Sequence, residues 1–516
     1  VPIHHFGVRS LPALLIGALG VVAFLTRLLP LLETATLGGF RGYDDGVHYA
    51  AGVHLLAGSL PYRDYVLVHP PGIALLMLPF ALVGQFAGDS AGVSAARVFF
   101  VLIGTLNTVL IGILLKRWGY PAIIAGAGLY AVGSIATIAE RSIMLSPVLG
   151  ACVLAALVAL RGCGREPRRA VTVAAVFLGL ALCFKLWAVL PILVIGVMVS
   201  VRFGPRLLLR FIAVGTAACA LVMGPFFMLA PRAMFTDVVL VQVARTDGAA
   251  KGLAHRLSDL VGLDAAPGTV FLIAGFGVLC IAATAVAGLS GRRRKPQEWG
   301  EEFWWAVLAT VIVCALLASA SFFDHYPNFA APYLALCLGV SVGAGVAAIS
   351  RRQTSDAGHP RRKFSVPEMV ATVLSVVLLF PVGARGLVLE PKPLPEVGGA
   401  NLAAAAAPHD CVFFSYAYMG IMSDSLSRSM EHGCGSMVDV FGARMVQDLS
   451  SNGAGTSLPA GGTVQEMQVD QLNNAQAAVV GAPHAYYGLT AGAIDTLLTQ
   501  FVLSASSGNF QVWVRR

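Results

Sequence analysis

Two adjacent carboxylates, Asp44 and Asp45, follow the first hydrophobic stretch, within Gly38-Gly39-Phe40-Arg41-Gly42-Tyr43-Asp44-Asp45-Gly46-Val47-His48-Tyr49. The chain then runs through Pro61-Tyr62-Arg63-Asp64 to His69-Pro70-Pro71. A loop has no packing need for two neighbouring charges. A catalyst that takes a proton from a hydroxyl beside a bilayer needs at least one. An exposed Asp has a pKa of about 4 and is ionised at neutral pH, ready to accept that proton. Neighbours on a helix or turn point in different directions, so one of the pair would face the reacting atom. The competing reading is an N-cap for a helix starting near Gly46, since Asp is favoured there; capping accounts for one Asp only.

The elements that must position this pair are membrane helices. Of 516 residues, 57% are hydrophobic and 12% charged, and the mean hydropathy is +0.77, which excludes a soluble globular protein. The net charge of +8 does not point to nucleic acid, because the basic residues are dispersed between apolar stretches. At about 20 apolar residues per span, about eleven spans are expected, near 11–32, 94–115, 120–138, 142–160, 170–184, 188–203, 207–230, 269–290, 303–323, 327–349 and 365–388. The first has no cleavable-signal pattern and reads as an anchor. Stretch 72–88, interrupted by Pro79, reads as an interfacial helix.

Basic clusters at Lys116-Arg117, Arg161–Arg169, Arg202–Arg210, Arg292–Lys295 and Arg351–Lys363 fall on one side of the expected topology. The positive-inside rule makes that side cytoplasmic. The N-terminus is then cytoplasmic, while the Asp44-Asp45 loop and the C-terminus lie outside. The expected division is a membrane domain over 1–388, with catalytic loop and interfacial helices at 33–93. A Pro/Gly linker at 389–400 and an α/β domain at 401–516 follow. In that domain Cys411-Val-Phe-Phe-Ser, Ala477-Ala-Val-Val-Gly and Phe510-Gln-Val-Trp-Val read as strands, and 491–505 has helical spacing. Cys411 and Cys434, alone there in an oxidising compartment, are expected to pair; the other seven cysteines read as packing residues.

Soluble-enzyme motifs are missing. There is no Gly-x-x-x-x-Gly-Lys-Ser/Thr loop and no His-Glu-x-x-His helix. Gly88-Asp89-Ser90-Ala91-Gly92 matches a nucleophile-elbow pattern without its strand-turn-helix context, and reads as an interfacial turn. Without a nucleotide fold, a glycosyltransferase outside the cytoplasm would need a lipid-linked donor.

A carboxylate pair after the first span, a Pro-Tyr-x-Asp turn and His-Pro-Pro opening an apolar helix resemble the GT-C membrane glycosyltransferases. More narrowly, they resemble the protein-mannosyltransferase-like group that includes the lipid A aminoarabinose transferases. The tail with Cys411, Cys434 and Phe510-Gln-Val-Trp-Val is similar to actinobacterial, mycobacterial-type members. So is Phe323-Asp324-His325-Tyr326 followed by Ala331-Pro332-Tyr333. The resemblance implies an all-α polytopic membrane protein of GT-C type with a small extracytoplasmic α/β domain. It also implies a polyprenyl-phosphate sugar donor and inversion at the anomeric carbon.

Three roles then need residues. The base is expected to be Asp44, aligned with the leading family carboxylate, with Asp45 supporting it or binding acceptor. The leaving phosphate calls for cations at the outer surface, and Lys185, Arg245 and Arg256 are the candidates. His69 stands where the aminoarabinose transferases carry a lysine and joins them. The ordinary alternative for Lys185 is a snorkelling interface residue. Sugar or acceptor contacts are expected from Tyr43, His48, Gln242, Asp324, His325 and Tyr326, although Tyr also anchors at interfaces. Arg27 and Arg97 read as structural or lipid-facing. No cofactor is implied; Asp44 and Asp45 could ligate a divalent cation, but no spacing insists on one.

The expected activity is inverting sugar transfer from decaprenyl phosphate to an envelope glycan or lipoglycan, such as lipoarabinomannan, on the outer face of a bacterial plasma membrane. The family resemblance favours mannose, with arabinofuranose as the alternative. A lipid-linked sugar transporter should show inverted repeats and mid-helix ionisable residues. A non-catalytic glycan-assembly protein would have no need of Asp44.

Overall fold

The computed structural model describes residues 11–33, 37–39, 42–161, 166–245, 251–263, 265–290, 295–357, 366–367, 369–375, 377, 399–451, 457–459, 461–481 and 488–516. Four helices open the chain: α1 (Leu11–Glu33), α2 (Tyr43–Leu56), α3 (Gly72–Ala87) and α4 (Asp89–Leu115). Among the described residues, seven helices are long and apolar enough to cross a membrane, or eight counting the bent pair Tyr120–Val132 and Ser134–Glu140. Leu209, Leu221, Met228, Leu272 and Leu279 stand exposed on the Pro205–Leu229 and Pro267–Leu289 helices, apolar surface that suits lipid rather than water.

Eight of the eleven expected spans coincide with these helices, and two others are shorter than expected. The stretches 142–160 and 170–184 form the 16-residue helices Leu145–Leu160 and Pro167–Leu182. At 1.5 Å per residue each is about 24 Å long, short of the roughly 30 Å of hydrocarbon. Buried polar residues cut them short: Glu140, Arg141 and Ser142 precede the first, and Lys185 follows the second. The segment 120–138 is broken, with its halves at 47°. Most of 365–388, and the linker expected at 389–400 as far as 398, lie outside the described residues.

Arg27 is structural rather than lipid-facing. The break at Gly133 frees the carbonyls of Tyr130 and Ala131 from regular helical bonding. Arg27 Nη1 donates to Ala131 O at 2.8 Å, Nη2 to Tyr130 O at 3.1 Å, and the Thr26 hydroxyl to Ala131 O at 2.8 Å. The guanidinium charge is met by Glu140 at 2.5 Å, and both side chains are fully buried. Tyr130 and Asn107 donate to the other Glu140 oxygen.

The tail folds as a four-stranded sheet of order β1-β2-β4-β3, with β1 (Val412–Phe414), β2 (Ala477–Gly481), β3 (Phe501–Ser507) and β4 (Phe510–Arg515). β1 and β2 are parallel and the remaining pairs antiparallel. The helix expected over 491–505 ends at Gln500. Phe501 onward is β3, because Gly508, at φ 59°, turns the chain back so that Ser507 faces Phe510 on β4. A Cys411–Cys434 disulfide, Cα–Cα 5.4 Å, ties β1 to the end of the Leu426–Glu431 helix.

The tail does not hang free. Val47, Tyr49, Tyr65, Met77 and Phe100 share one buried core with Phe414, Tyr416, Ala417 and Leu426. Gly46 allows this approach: a Cβ there would lie 2.7 Å from the Tyr418 backbone nitrogen. The Gly88–Gly92 segment is no nucleophile elbow, since Asp89 opens α4 and its carboxylate accepts from Ser427 of the tail.

Candidate active site

The carboxylate pair lies in the first turn of α2, where neighbouring side chains diverge by about 100°. Asp45 points into the protein and is buried. Arg97 of α4 donates to its Oδ2 from Nε at 3.2 Å and Nη2 at 2.5 Å, and the Ile143 amide donates to Oδ1 at 2.7 Å. Arg97 also holds the carbonyls of Leu37 and Gly39, so this pair pins the loop that leads into α2. Of the two roles expected of Asp45, support of Asp44 or acceptor binding, this geometry suits support: both oxygens are engaged in a buried contact.

Asp44 faces the other way. Its side chain is 35% exposed, and His325 Nε2 lies 3.9 Å from Oδ2. Among the described residues it accepts no hydrogen bond.

Around Asp44 the fold gathers cations and histidines from distant segments. Lys185 sits in the break between the Pro167–Leu182 helix and the Leu186–Ala188 turn. Gly72 at the start of α3 secures that break, donating its amide to Cys183 O at 2.8 Å; a Cβ at Gly72 would collide with this carbonyl. The Lys185 ammonium lies 4.5 Å from the Trp187 ring centroid and 4.9 Å from that of Tyr326. Among the described residues no carboxylate lies within 4.0 Å of it. Burial lowers its pKa to about 8, with Asp44 raising and Arg245 lowering it. Arg245 lies with its guanidinium 5.0 Å from the Phe323 ring centroid.

Two of the histidines, His69 and His325, are shifted downward. Burial, then His48, Lys185, Arg245 and His325 in that order, push His69 well below its ordinary value. Burial brings His325 to about 4 despite Asp44 raising it, with Lys185, His48 and Arg245 adding to the depression. His48 bonds through Nδ1 to the Ile143 carbonyl at 2.6 Å, so Nδ1 carries the proton there. Its Nε2 is buried without a partner among the described residues, and its ring is 5.6 Å from that of His69.

Other candidates lie elsewhere or hold structure. Arg256 donates to the carbonyls of Lys251, Leu317 and Ser319, locking Leu253–Val261 to the end of the Glu301–Ala318 helix. Its Nε and Nη1 are taken by backbone carbonyls, which gives Arg256 a structural role. Asp324 is exposed and ion-paired with Lys251, outside the cluster its neighbours His325 and Tyr326 join. Gln242 donates to Val68 O at 2.8 Å and steadies the strap carrying His69. Tyr326 is buried beneath Lys185 and Trp187.

The tail contributes a residue that sequence reasoning missed. Asp439 is buried, and its Oδ1 accepts the Tyr43 hydroxyl and the Gly442 amide, both at 2.8 Å. The Tyr43 oxygen in turn accepts the Phe441 amide at 3.2 Å. Burial raises the Asp439 carboxyl, Asp44 adds to this, and Gly442, Tyr43 and Arg245 oppose it. The one signal in the sequence was an isolated acid in Met437-Val-Asp439-Val-Phe441. Among the described residues no three His, Cys, Asp or Glu side chains gather as a metal site.

No protein-family model and no curated protein matches the chain. Solved structures do match. ArnT from Cupriavidus metallidurans bound to undecaprenyl phosphate aligns with a TM-score of 0.60 and 16% identity over 98% of both chains. The same protein in the apo state gives 0.62 at 15% identity, again over 98% of each. The archaeal oligosaccharyltransferase AglB from Archaeoglobus fulgidus, in complex with an inhibitory peptide and a dolichol-phosphate, gives 0.57 at 11% identity, covering 98% of this chain and 74% of that one. At such identities the likeness shows the fold: a polytopic helical membrane domain of GT-C type carrying a small α/β domain.

Proposed function

We propose that the chain is an inverting glycosyltransferase that moves a sugar from a polyprenyl-phosphate donor to an envelope glycan. The observation that carries this reading is a solvent-reached Asp44, accepting no hydrogen bond among the described residues, near Lys185, at the end of a short apolar helix, and Arg245, at the end of the Val241–Ala244 turn. Asp44 takes the proton of the acceptor hydroxyl. The hydroxyl oxygen attacks the anomeric carbon from the face opposite the phosphate, and the carbon–oxygen bond to the phosphate breaks. The polyprenyl phosphate leaves with the bonding electrons, its charge met by Lys185 and Arg245. The fold supports a lipid-linked donor, since a neighbour of the same fold holds undecaprenyl phosphate. An apolar groove of about 430 Å³ suits the prenyl chain; its wall includes Leu182, three residues before Lys185, and Met234.

The positive-inside reading places the site on the outer face of the plasma membrane. Mannose from decaprenyl-phosphate mannose is the favoured sugar and arabinofuranose the alternative, both on family resemblance. The test offers purified protein each radiolabelled donor in parallel, with lipomannan and arabinogalactan fragments as acceptors. Incorporation from one donor identifies the sugar; none from either sinks the reading.

Lys185 supplies a pH prediction. Its native pKa of about 8 lies below the ordinary lysine value, so raising pH through 8 removes the proton from the empty site. The donor phosphodiester stays anionic, so binding takes up that proton and weakens as pH rises. The protonated fraction falls roughly tenfold between pH 7 and 9, and donor KM should rise by about that factor. In Lys185→Arg, where the charge persists, donor KM should stay flat over this range. An equal rise in both proteins would remove Lys185 from phosphate binding.

A further inference from the structure

The tail domain meets the membrane domain at Tyr43, next to Asp44 in the chain, where Asp439 offers a carboxylate. Asp439 is 5% exposed, and its Oδ1 is bonded twice, by the Tyr43 hydroxyl and the Gly442 amide. Its Oδ2 accepts no hydrogen bond among the described residues. That oxygen is not sealed off from solvent, and an ionised carboxylate oxygen can only accept. The group that completes it must bring an O–H or N–H.

Placement says which ligand would bring it. Tyr43 precedes Asp44 in the chain, and Asp439 is close enough to Asp44 and Arg245 to feel both electrostatically. Phe441, two residues on, is exposed; its ring meets Tyr43 edge-on with centroids 4.9 Å apart. Tyr416 packs edge-on against the same Tyr43 ring at 5.4 Å. An exposed aromatic face beside a carboxylate oxygen that can accept a hydroxyl suits a polyhydroxylated ring. The leaving phosphate has no use for either feature, since a second carboxylate would repel it.

We infer that Asp439 and Phe441 of the tail domain form the acceptor subsite, with Asp439 Oδ2 accepting a hydroxyl of the acceptor sugar and Phe441 supporting its ring. This rests on the transferase reading and adds the tail domain to the active site. Tyr43, one residue before Asp44 in the chain, is the positioning residue: its hydroxyl fixes Asp439 through Oδ1.

The experiment measures steady-state transfer from decaprenyl-phosphate mannose and decaprenyl-phosphate arabinose to short mannan and arabinan oligosaccharides. Wild type is compared with Asp439→Asn, Phe441→Ala and Tyr43→Phe, with thermal unfolding of each. Asn keeps the size of Asp and an oxygen for Tyr43 but loses the charge. Asp439→Asn and Phe441→Ala should each raise acceptor KM tenfold or more, with donor KM and melting temperature unchanged. Tyr43→Phe combined with Asp439→Asn should lose less than the product of the single effects. Unchanged acceptor KM in Asp439→Asn overturns the subsite while leaving the transferase reading intact. So does an equal rise in both KM values with a lowered melting temperature, which marks a purely structural contact. No transfer by wild type from either donor defeats the transferase reading itself, and the subsite with it.

Discussion

Asp44→Asn is expected to lower kcat by about 10²–10⁴-fold, the range general-base catalysis contributes, while leaving the fold untouched. Asn has the shape of Asp but cannot take a proton at neutral pH. The side chain accepts no hydrogen bond among the described residues, and its nearest recorded charge partner is a neutral His325 at 3.9 Å. Nothing in the packing is lost, so the melting temperature should stay within the range of ordinary surface substitutions, about 0.5 kcal/mol. Donor KM should move little, because the phosphate is held by Lys185 and Arg245. A variant that keeps more than a tenth of wild-type kcat would remove Asp44 as the base.

The neighbouring carboxylate should behave in the opposite way. Asp45→Asn leaves Arg97, itself buried, facing a neutral amide. The loss should appear first in thermal unfolding, with activity following as the Leu37–Gly39 segment and the start of α2 loosen. Measured side by side, the two Asn variants separate chemistry from architecture at adjacent positions. Equal melting temperatures would show that the Asp45–Arg97 pair does not hold α2.

How far the sequence could be read follows from where each signal lives. Apolar runs and turn chemistry are local, so the helical membrane class and strands β1, β2 and β4 were legible. The edge strand β3 was not: Phe501-Val502-Leu503 continues the helical spacing of 491–500, and only pairing with β4 overrides it. The pair Asp44-Asp45 announced chemistry, yet its division of labour depends on Arg97 and Ile143, 52 and 98 residues away. Arg256 and Asp324 looked alike to Arg245 and His325 as polar residues near span ends. Only tertiary placement gives Arg256 to backbone carbonyls and Asp324 to Lys251. Asp439 lies 396 residues from Tyr43, beyond any spacing rule. Span length was harder to read than span position. Hydropathy measures apolar content, whereas the helices beside the site are shortened by Glu140, Arg141 and Lys185, residues the interior accommodates.

Glu140 carries the largest expected effect on stability. Its oxygens receive Arg27, the Tyr130 hydroxyl and the Asn107 amide, and no water reaches it. Glu140→Ala would strand the Arg27 charge among helices at a depth where no solvent can answer it. Removing one member of a buried pair costs about 3–5 kcal/mol, well above the roughly 0.6 kcal/mol average of an interhelical hydrogen bond in a membrane protein. Unfolding in detergent should therefore shift sharply for Glu140→Ala and only modestly for Asn107→Ala. The charge rather than the bonding can be isolated with Arg27→Met combined with Glu140→Met. That double variant should recover much of what either single change loses, because a packed apolar pair replaces the ions. Arg27 also serves the Tyr130 and Ala131 carbonyls freed at Gly133, so recovery should stop short of wild type. Additive losses would mean the two residues do not act as a pair. The consequence reaches Asp44 along a short path: Glu140 leads to Ile143, whose amide and carbonyl are held by Asp45 and His48 of α2. Loss of the ion pair should thus depress kcat even at temperatures where the chain stays folded.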